Sequence, residues 1–151
     1  NHTLSRVYLA LAEGHWTNQS KSGLINRPIE KVPECFNRYQ VADTGRPSRT
    51  EYEVLSEFTS EETPFSLVRL KLQTGRTHQI RVHMASLSHP LLGDSIYGHE
   101  GFLGFNRAAL HSFEITCQLP GHQDLAVFSS EMPEDFQKMI AESINSSSTL
   151  I

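Results

Sequence analysis

The spacing of apolar positions changes at Gly75. Before it, TEYEVLSEF (50–58) sets Tyr52, Val54 and Ser56 against charged neighbours, and FSLVRLKLQTG (65–75) sets Val68, Leu70 and Leu72 opposite Arg69 and Lys71. This period of two predicts two β-strands, and the EETP stretch between them predicts a hairpin connection. After Gly75, Ile80, Met84 and Leu87 recur at i, i+4 and i+7. That spacing predicts a short amphipathic helix over 77–88, with Thr77 as N-cap and Pro90 as its stop.

The flanks are read the same way. VYLALAEG (7–14) is an apolar run closing on a turn glycine, whereas 15–49, with Pro28, Pro33, Gly45 and Pro47 in polar sequence, predicts a long surface excursion. HPLLGDSIYG (89–98) is a compact turn segment, GFLG (101–104) a flexible loop and RAALHSFEITCQLP (107–120) a further strand. PEDFQKMIAESI (133–144) opens with a proline and two acids, as a helix start prefers. Neither a repeat nor a linker divides the chain, so one domain is expected over 1–145, with a frayed tail at 146–151.

Composition narrows the class. The chain has 151 residues, 38% hydrophobic and 20% charged, which suits one globular core. No run approaches the ~18 apolar residues of a membrane span, and NHTLSRVYLALAEG lacks the parts of a secretory signal, so a soluble, cytoplasmic protein with no membrane partner is expected. Two cysteines, Cys35 and Cys117, without CxxC spacing, fit a reducing compartment and speak against a disulfide framework or a zinc knuckle. Glycosylation-type tripeptides at Asn1, Asn18 and Asn145 are too short a pattern to weigh against that.

Charge changes the picture more. Residues 1–50 carry seven Lys or Arg against four acids, net +3, and the remainder six against thirteen, net −7. This segregation permits a basic face on an acidic protein, as well as an ordinary solvated surface.

The chemistry concentrates in LKLQTGRTHQIRVHMASLSHPLLGDSIYG (70–98). A strand turning at Gly75 into a helix start leaves backbone N–H groups unpaired beside Arg76, an anion site in outline. Arg81, one turn in, has its stem along the apolar face and calls for a carboxylate or phosphate, yet no nearby acid stands out. A surface arginine and a local salt bridge are the plainer readings of the two. His78 and His83 lie five apart, about 140° around a helix, and do not converge on a metal; they read as capping or core-edge histidines. With no GxSxG, GxxxxGK[ST] or GxGxxG pattern, hydrolase, P-loop and dinucleotide chemistries lack support.

TGRTHQIRVHMASLSHPLLGDSIYG resembles the characteristic motif of the RluA-type RNA pseudouridine synthases. VYLALAEG resembles that family's motif around its active-site tyrosine, GRPSRTEYEVL its lead into a strand, AALHSFEITCQLP a later strand, and MPEDF its closing motif. The resemblance runs in the family's order through most of residues 5–140.

It implies an α+β pseudouridine synthase fold, with a mixed, mostly antiparallel sheet, flanking helices and an RNA cleft across the sheet. It implies isomerisation of uridine in rRNA or tRNA with no metal or organic cofactor, the target base flipped out and attacked by an aspartate. Tyr8 would pack on the uracil and serve the proton step at C5, Arg81 would pair with the nucleophilic aspartate, and Leu110 would line the uracil pocket. Arg76, Thr77, His78, Arg46 and Arg49 would face RNA, with Lys21, Arg27 and Arg38 as further phosphate contacts.

The family's nucleophile lies in an H-R-L-D-x-x-T-S-G motif that this sequence lacks. Asp43 and Asp94 are outside that context, Asp94 falling in the family's GD turn. The chain is therefore expected to be the C-terminal part of a catalytic domain, truncated on its N-terminal side. Arg81's partner would lie upstream, the isolated chain would be inactive, and an exposed sheet edge would pair with a second copy. The alternative is a non-catalytic RNA-binding or structural protein that keeps the fold.

Overall fold

The computed structural model describes residues 5–118, 121 and 123–148. Along the chain run β1 (Ser5–Glu13), β2 (Ser22–Asn26), β3 (Ile29–Lys31), β4 (Tyr39–Val41), β5 (Arg49–Ser60) and β6 (Thr63–Leu72). Then follow α1 (Gln79–Ser86), a 3-10 turn (Phe102–Gly104), β7 (Leu110–Gln118), β8 (Leu125–Ser129) and α2 (Glu134–Ser148). Six strands form one sheet in the order β2-β5-β6-β1-β7-β8, and β3 and β4 form a separate ribbon. Pairing among the described residues is antiparallel throughout.

The sheet is covered on both faces, which explains why β1 reads as a run rather than an alternation. Its odd and even residues serve different cores. Ala10 and Ala12 pack with Trp16, Val68, Leu70, Ile80, Met84 and Leu91 on the α1 side, and Leu9 and Leu11 with Phe65, Leu67, Phe105 and Phe136 on the α2 side. Small side chains at positions 10 and 12 let α1 approach the sheet closely. On the other side Phe136 is buried and meets Phe105 edge-on. No helix of the described residues is long and apolar enough to cross a membrane.

The β5–β6 hairpin is present, with Glu61 and Glu62 both left-handed (φ 51° and 63°), the conformation that two-residue hairpins favour. The expected surface excursion over 15–49 is not one. It contributes β2, β3 and β4 and buries Trp16, Ile25 and Ile29. Trp16 donates its indole N–H to Ser66 Oγ (3.0 Å) and stacks on His89. Strands of three to five residues that bury at most one apolar side chain each leave no readable period.

Both ends of α1 differ from expectation. Thr77 is not the N-cap: His78 holds that position, left-handed (φ 57°) and without a side-chain cap bond. The Gln79 amide instead accepts from Arg76 N–H (3.0 Å). Nor does Pro90 stop the helix. Ser88 is left-handed (φ 70°), its N–H bonds Ala85 O and that of His89 bonds Met84 O, a Schellman motif that closes the helix before the proline.

GFLG, expected to be a flexible loop, forms the 3-10 turn, and β8 had no counterpart in the sequence reading. The strand expected over 107–120 is β7, Leu110–Gln118, and 119–120 lie outside the described residues, as does Asn1. Helix α2 runs to Ser148, so three residues of the expected tail are helical and 149–151 lie outside the described residues.

Candidate functional site

The LLGD turn carries the carboxylate that answers Arg81. Gly93 is left-handed (φ 76°), and a Cβ there would stand 2.5 Å from the carbonyl oxygens of Phe105 and Arg107, so only glycine lets the turn press against the lead into β7. The next residue, Asp94, is fully buried. Its Oδ1 accepts from Arg81 Nη2 (2.8 Å) and from the N–H groups of Ile96 and Tyr97 (3.1 Å each), and its Oδ2 from Arg81 Nε (2.9 Å). Burial alone would raise this carboxyl's pKa; the Arg81 bonds and charge and the two backbone donors outweigh it and hold the group below its usual range. The expectation that Arg81 lacks a partner in this chain is thus corrected. Asp94 is thirteen residues on, and only the fold brings it back.

Tyr97 continues the arrangement. The Arg81 guanidinium lies 5.2 Å and that of Arg38 5.6 Å from its ring centroid. Its phenol accepts from Tyr39 N–H (2.9 Å) and donates to His78 Nδ1 (2.8 Å). Burial and the Arg81 charge lower the His78 pKa, against an opposing pull from Asp94.

Tyr8, Arg81 and Leu110 converge on one cleft of about 260 Å³, together with Leu72, Arg76 and His78. Tyr8 faces Ser112 across the β1–β7 ladder and Ala10 faces Leu110, so Tyr8 and Leu110 share the α1 side of the sheet. The register shifts between Val7 and Tyr8, leaving Phe113 as an extra residue on β7. Such a bulge re-aims side chains beside it.

A second cleft, of about 400 Å³, adjoins the first at Arg76 and is lined by Lys31, Tyr39, Arg46 and Thr77. Of the residues expected to face RNA, Arg76 lines both clefts, His78 the first, and Arg46 and Thr77 the second; Arg49 lines neither. The further cations have structural partners. Lys21 pairs with Glu57, Arg27 donates to Ser86 at the end of α1, and Arg38 donates to Ile96 O.

Beneath the clefts a chain of hydrogen bonds runs from the surface at Arg49 into the buried core at Thr50 and His83. Arg49 N–H donates to Thr74 Oγ1, Thr74 to Gln79 Oε1, Gln79 Nε2 to Thr50 Oγ1, and Thr50 to His83 Nδ1. His83 Nε2 then donates to Arg27 O (2.8 Å). Every hydroxyl both accepts and donates, which fixes His83 as the neutral Nε2–H tautomer. Burial, first, and the Arg27 charge lower its pKa, against the pull of that carbonyl. The sequence reading passed over Gln79, Asp94 and Tyr97 as partners. The i, i+4 pair Gln79 and His83, flanking Ile80 and Met84, was the one signal that pointed to a buried polar seam.

An antiparallel sheet with helices on both faces thus carries a cleft walled by an aromatic ring, an apolar side chain and an anchored arginine. The RNA pseudouridylate synthase model matches residues 1–86, more than half of the chain. The chain is 42% identical over 137 residues to the uncharacterized RNA pseudouridine synthase YhcT of Bacillus subtilis, covering 91% of this chain and 44% of that protein. It is 35% identical over 146 residues to the ribosomal large subunit pseudouridine synthase D of Nitrosomonas europaea, covering 91% and 40%. Among solved structures, human RNA pseudouridylate synthase domain containing 1 superposes with a TM-score of 0.73 at 29% identity, over 85% of this chain and 55% of that one. The chain belongs to the RNA pseudouridine synthase family, and it spans less than half the length of these two curated relatives.

Proposed function

We propose that the protein carrying this chain isomerises uridine to pseudouridine in structured RNA. The observation that carries this reading is the convergence of Tyr8, Arg81 and Leu110, from three separate elements, on one cleft. In the reaction the N1–C1′ bond of uridine breaks, a C5–C1′ bond forms, the C5 proton leaves and N1 gains one. A base flipped out of its stack fits between the Tyr8 ring and the Leu110 wall. Tyr8 would serve the proton step at C5.

The nucleophile in this reading is an aspartate supplied by residues upstream of this chain. Asp94 does not serve, because both its oxygens are occupied and it is sealed from solvent. Its part is to hold Arg81 by Nε and Nη2, leaving Nη1, unpaired among the described residues, for the nucleophile's carboxylate. The name of the Nitrosomonas relative favours ribosomal RNA as substrate, with transfer RNA second. The sheet edges are β2 and β8, and a solution mass equal to one chain would remove the expected edge-to-edge dimer.

The test is pseudouridine formation in total unmodified RNA by this chain and by its upstream-extended form. Activity of the extended form alone, abolished by Arg81→Ala, is the expected result. Turnover by the short chain would overturn the upstream nucleophile, and binding without reaction by either form would favour the non-catalytic RNA-binding protein.

A further inference from the structure

Phe36 is 92% exposed, far beyond any other large apolar side chain of the described residues. It sits at the tip of the β3–β4 ribbon between Glu34 and Asn37, both left-handed (φ 58° and 60°). The tip is not loose. Val32 N–H bonds Arg38 O (2.8 Å) and Cys35 N–H bonds Val32 O (3.3 Å). Arg38 Nη1 on Ile96 O (3.0 Å) and Tyr39 N–H on the Tyr97 phenol (2.9 Å) fix the ribbon to the turn that carries Asp94.

The base of the same ribbon walls the second cleft, where Lys31 stands with Arg46 and Arg76. Lys31, Arg46 and Arg76, with Arg38 held on Ile96 O, outnumber the two carboxylates of the ribbon, Glu30 and Glu34, and the Glu30 carboxylate is engaged by Gln40 and Thr44. An aromatic face beside an excess of cations is how single-stranded nucleic acid is held. A protein partner would need a contiguous apolar patch, whereas Phe36 stands between half-buried Cys35 and exposed Asn37, with exposed Glu34 and Arg38 beyond them.

We propose that Phe36 stacks on an unpaired RNA base flanking the target uridine, so that the ribbon tip selects which loops the enzyme accepts. This rests on the RNA reading above. Phe36 is five positions beyond Lys31, a reach of at most about 17 Å. It lines neither cleft, so the base it stacks on is a different one from the uracil held at Tyr8.

The experiment is a binding cycle with the full-length protein at fixed salt. The probes are a stem-loop RNA with a uridine-only loop and the same RNA with one loop nucleotide at a time made abasic. Phe36→Ala is expected to weaken binding about 5- to 150-fold, and Phe36→Trp to retain it. One abasic position should weaken the wild type by a similar factor and leave Phe36→Ala unchanged. Wild-type binding by Phe36→Ala, or the same loss at every abasic position, would overturn the proposal. A wild type that binds no RNA removes the RNA reading and this proposal with it. Binding without pseudouridine formation refutes only the catalytic reading, and the cycle still decides Phe36.

Discussion

Asp94 carries four hydrogen bonds and no solvent exposure, two of the bonds from a guanidinium that is only partly covered. Removing one partner of such a pair leaves the other uncompensated, at a cost of about 3–5 kcal/mol when both are buried. Because Arg81 keeps some solvent, Asp94→Asn is expected to lose about 3 kcal/mol, read as a lowered urea midpoint at unchanged slope. Its pseudouridine formation should fall further than the loss of folded protein explains.

Acid should act in two stages. His83 has its folded pKa below the ordinary value near 6.5, so its contribution is complete above that pH and is lost as pH falls through the folded value. Asp94, also depressed, contributes above its unfolded value near 3.9 and loses that contribution at lower pH still. Denaturation across a pH series should show both, and His83→Gln should reduce the first, to which His78, its pKa also lowered, contributes the remainder. At this scale the sequence carried Tyr8, Arg81 and Leu110 through their motifs. It hid the Arg81–Asp94 pair, because a contact across a turn has no spacing rule.

Among the elements, β5, β6 and α1 lie where the periods put them and α2 where its proline and acids start it, within a few residues at their ends. The ribbon and β2 were not, since each is anchored by one buried residue such as Ile25 or Ile29. The ends of α1 failed for a different reason. Thr77 and Pro90 are reasonable cap and stop residues, but His78 takes the N-cap position without a side-chain bond and the left-handed Ser88 closes the helix. A left-handed serine is strained where glycine is not. Ser88→Gly should therefore stabilise the fold by about 0.5–1 kcal/mol in thermal or chemical denaturation. A loss of stability would mean that the Ser88 side chain contributes more than its backbone costs.

For the whole molecule, the charge segregation seen in the sequence is real but only partly available to a ligand. Lys21, Arg27 and Arg38 are spent on Glu57, Ser86 and Ile96, which leaves Lys31, Arg46 and Arg76 lining the clefts, Arg76 also donating its Nε to Pro47 O. Composition does not distinguish a cation that holds the fold from one that faces a cleft. Arg76→Ala should weaken RNA binding across sequences and reduce the slope of log K against log salt by about 1, while Arg27→Ala should act mainly on stability.

The claim that the cleft of Tyr8, Arg81 and Leu110 is the isomerisation site is tested most directly by Tyr8→Phe in the full-length protein, with RNA binding and single-turnover pseudouridine formation measured together. The ring that stacks on the base is kept and only the hydroxyl is lost. Binding should stay within a few-fold of wild type while the rate falls by about 10²–10⁴. A rate equal to wild type would contradict the role given to Tyr8 and place the proton step elsewhere.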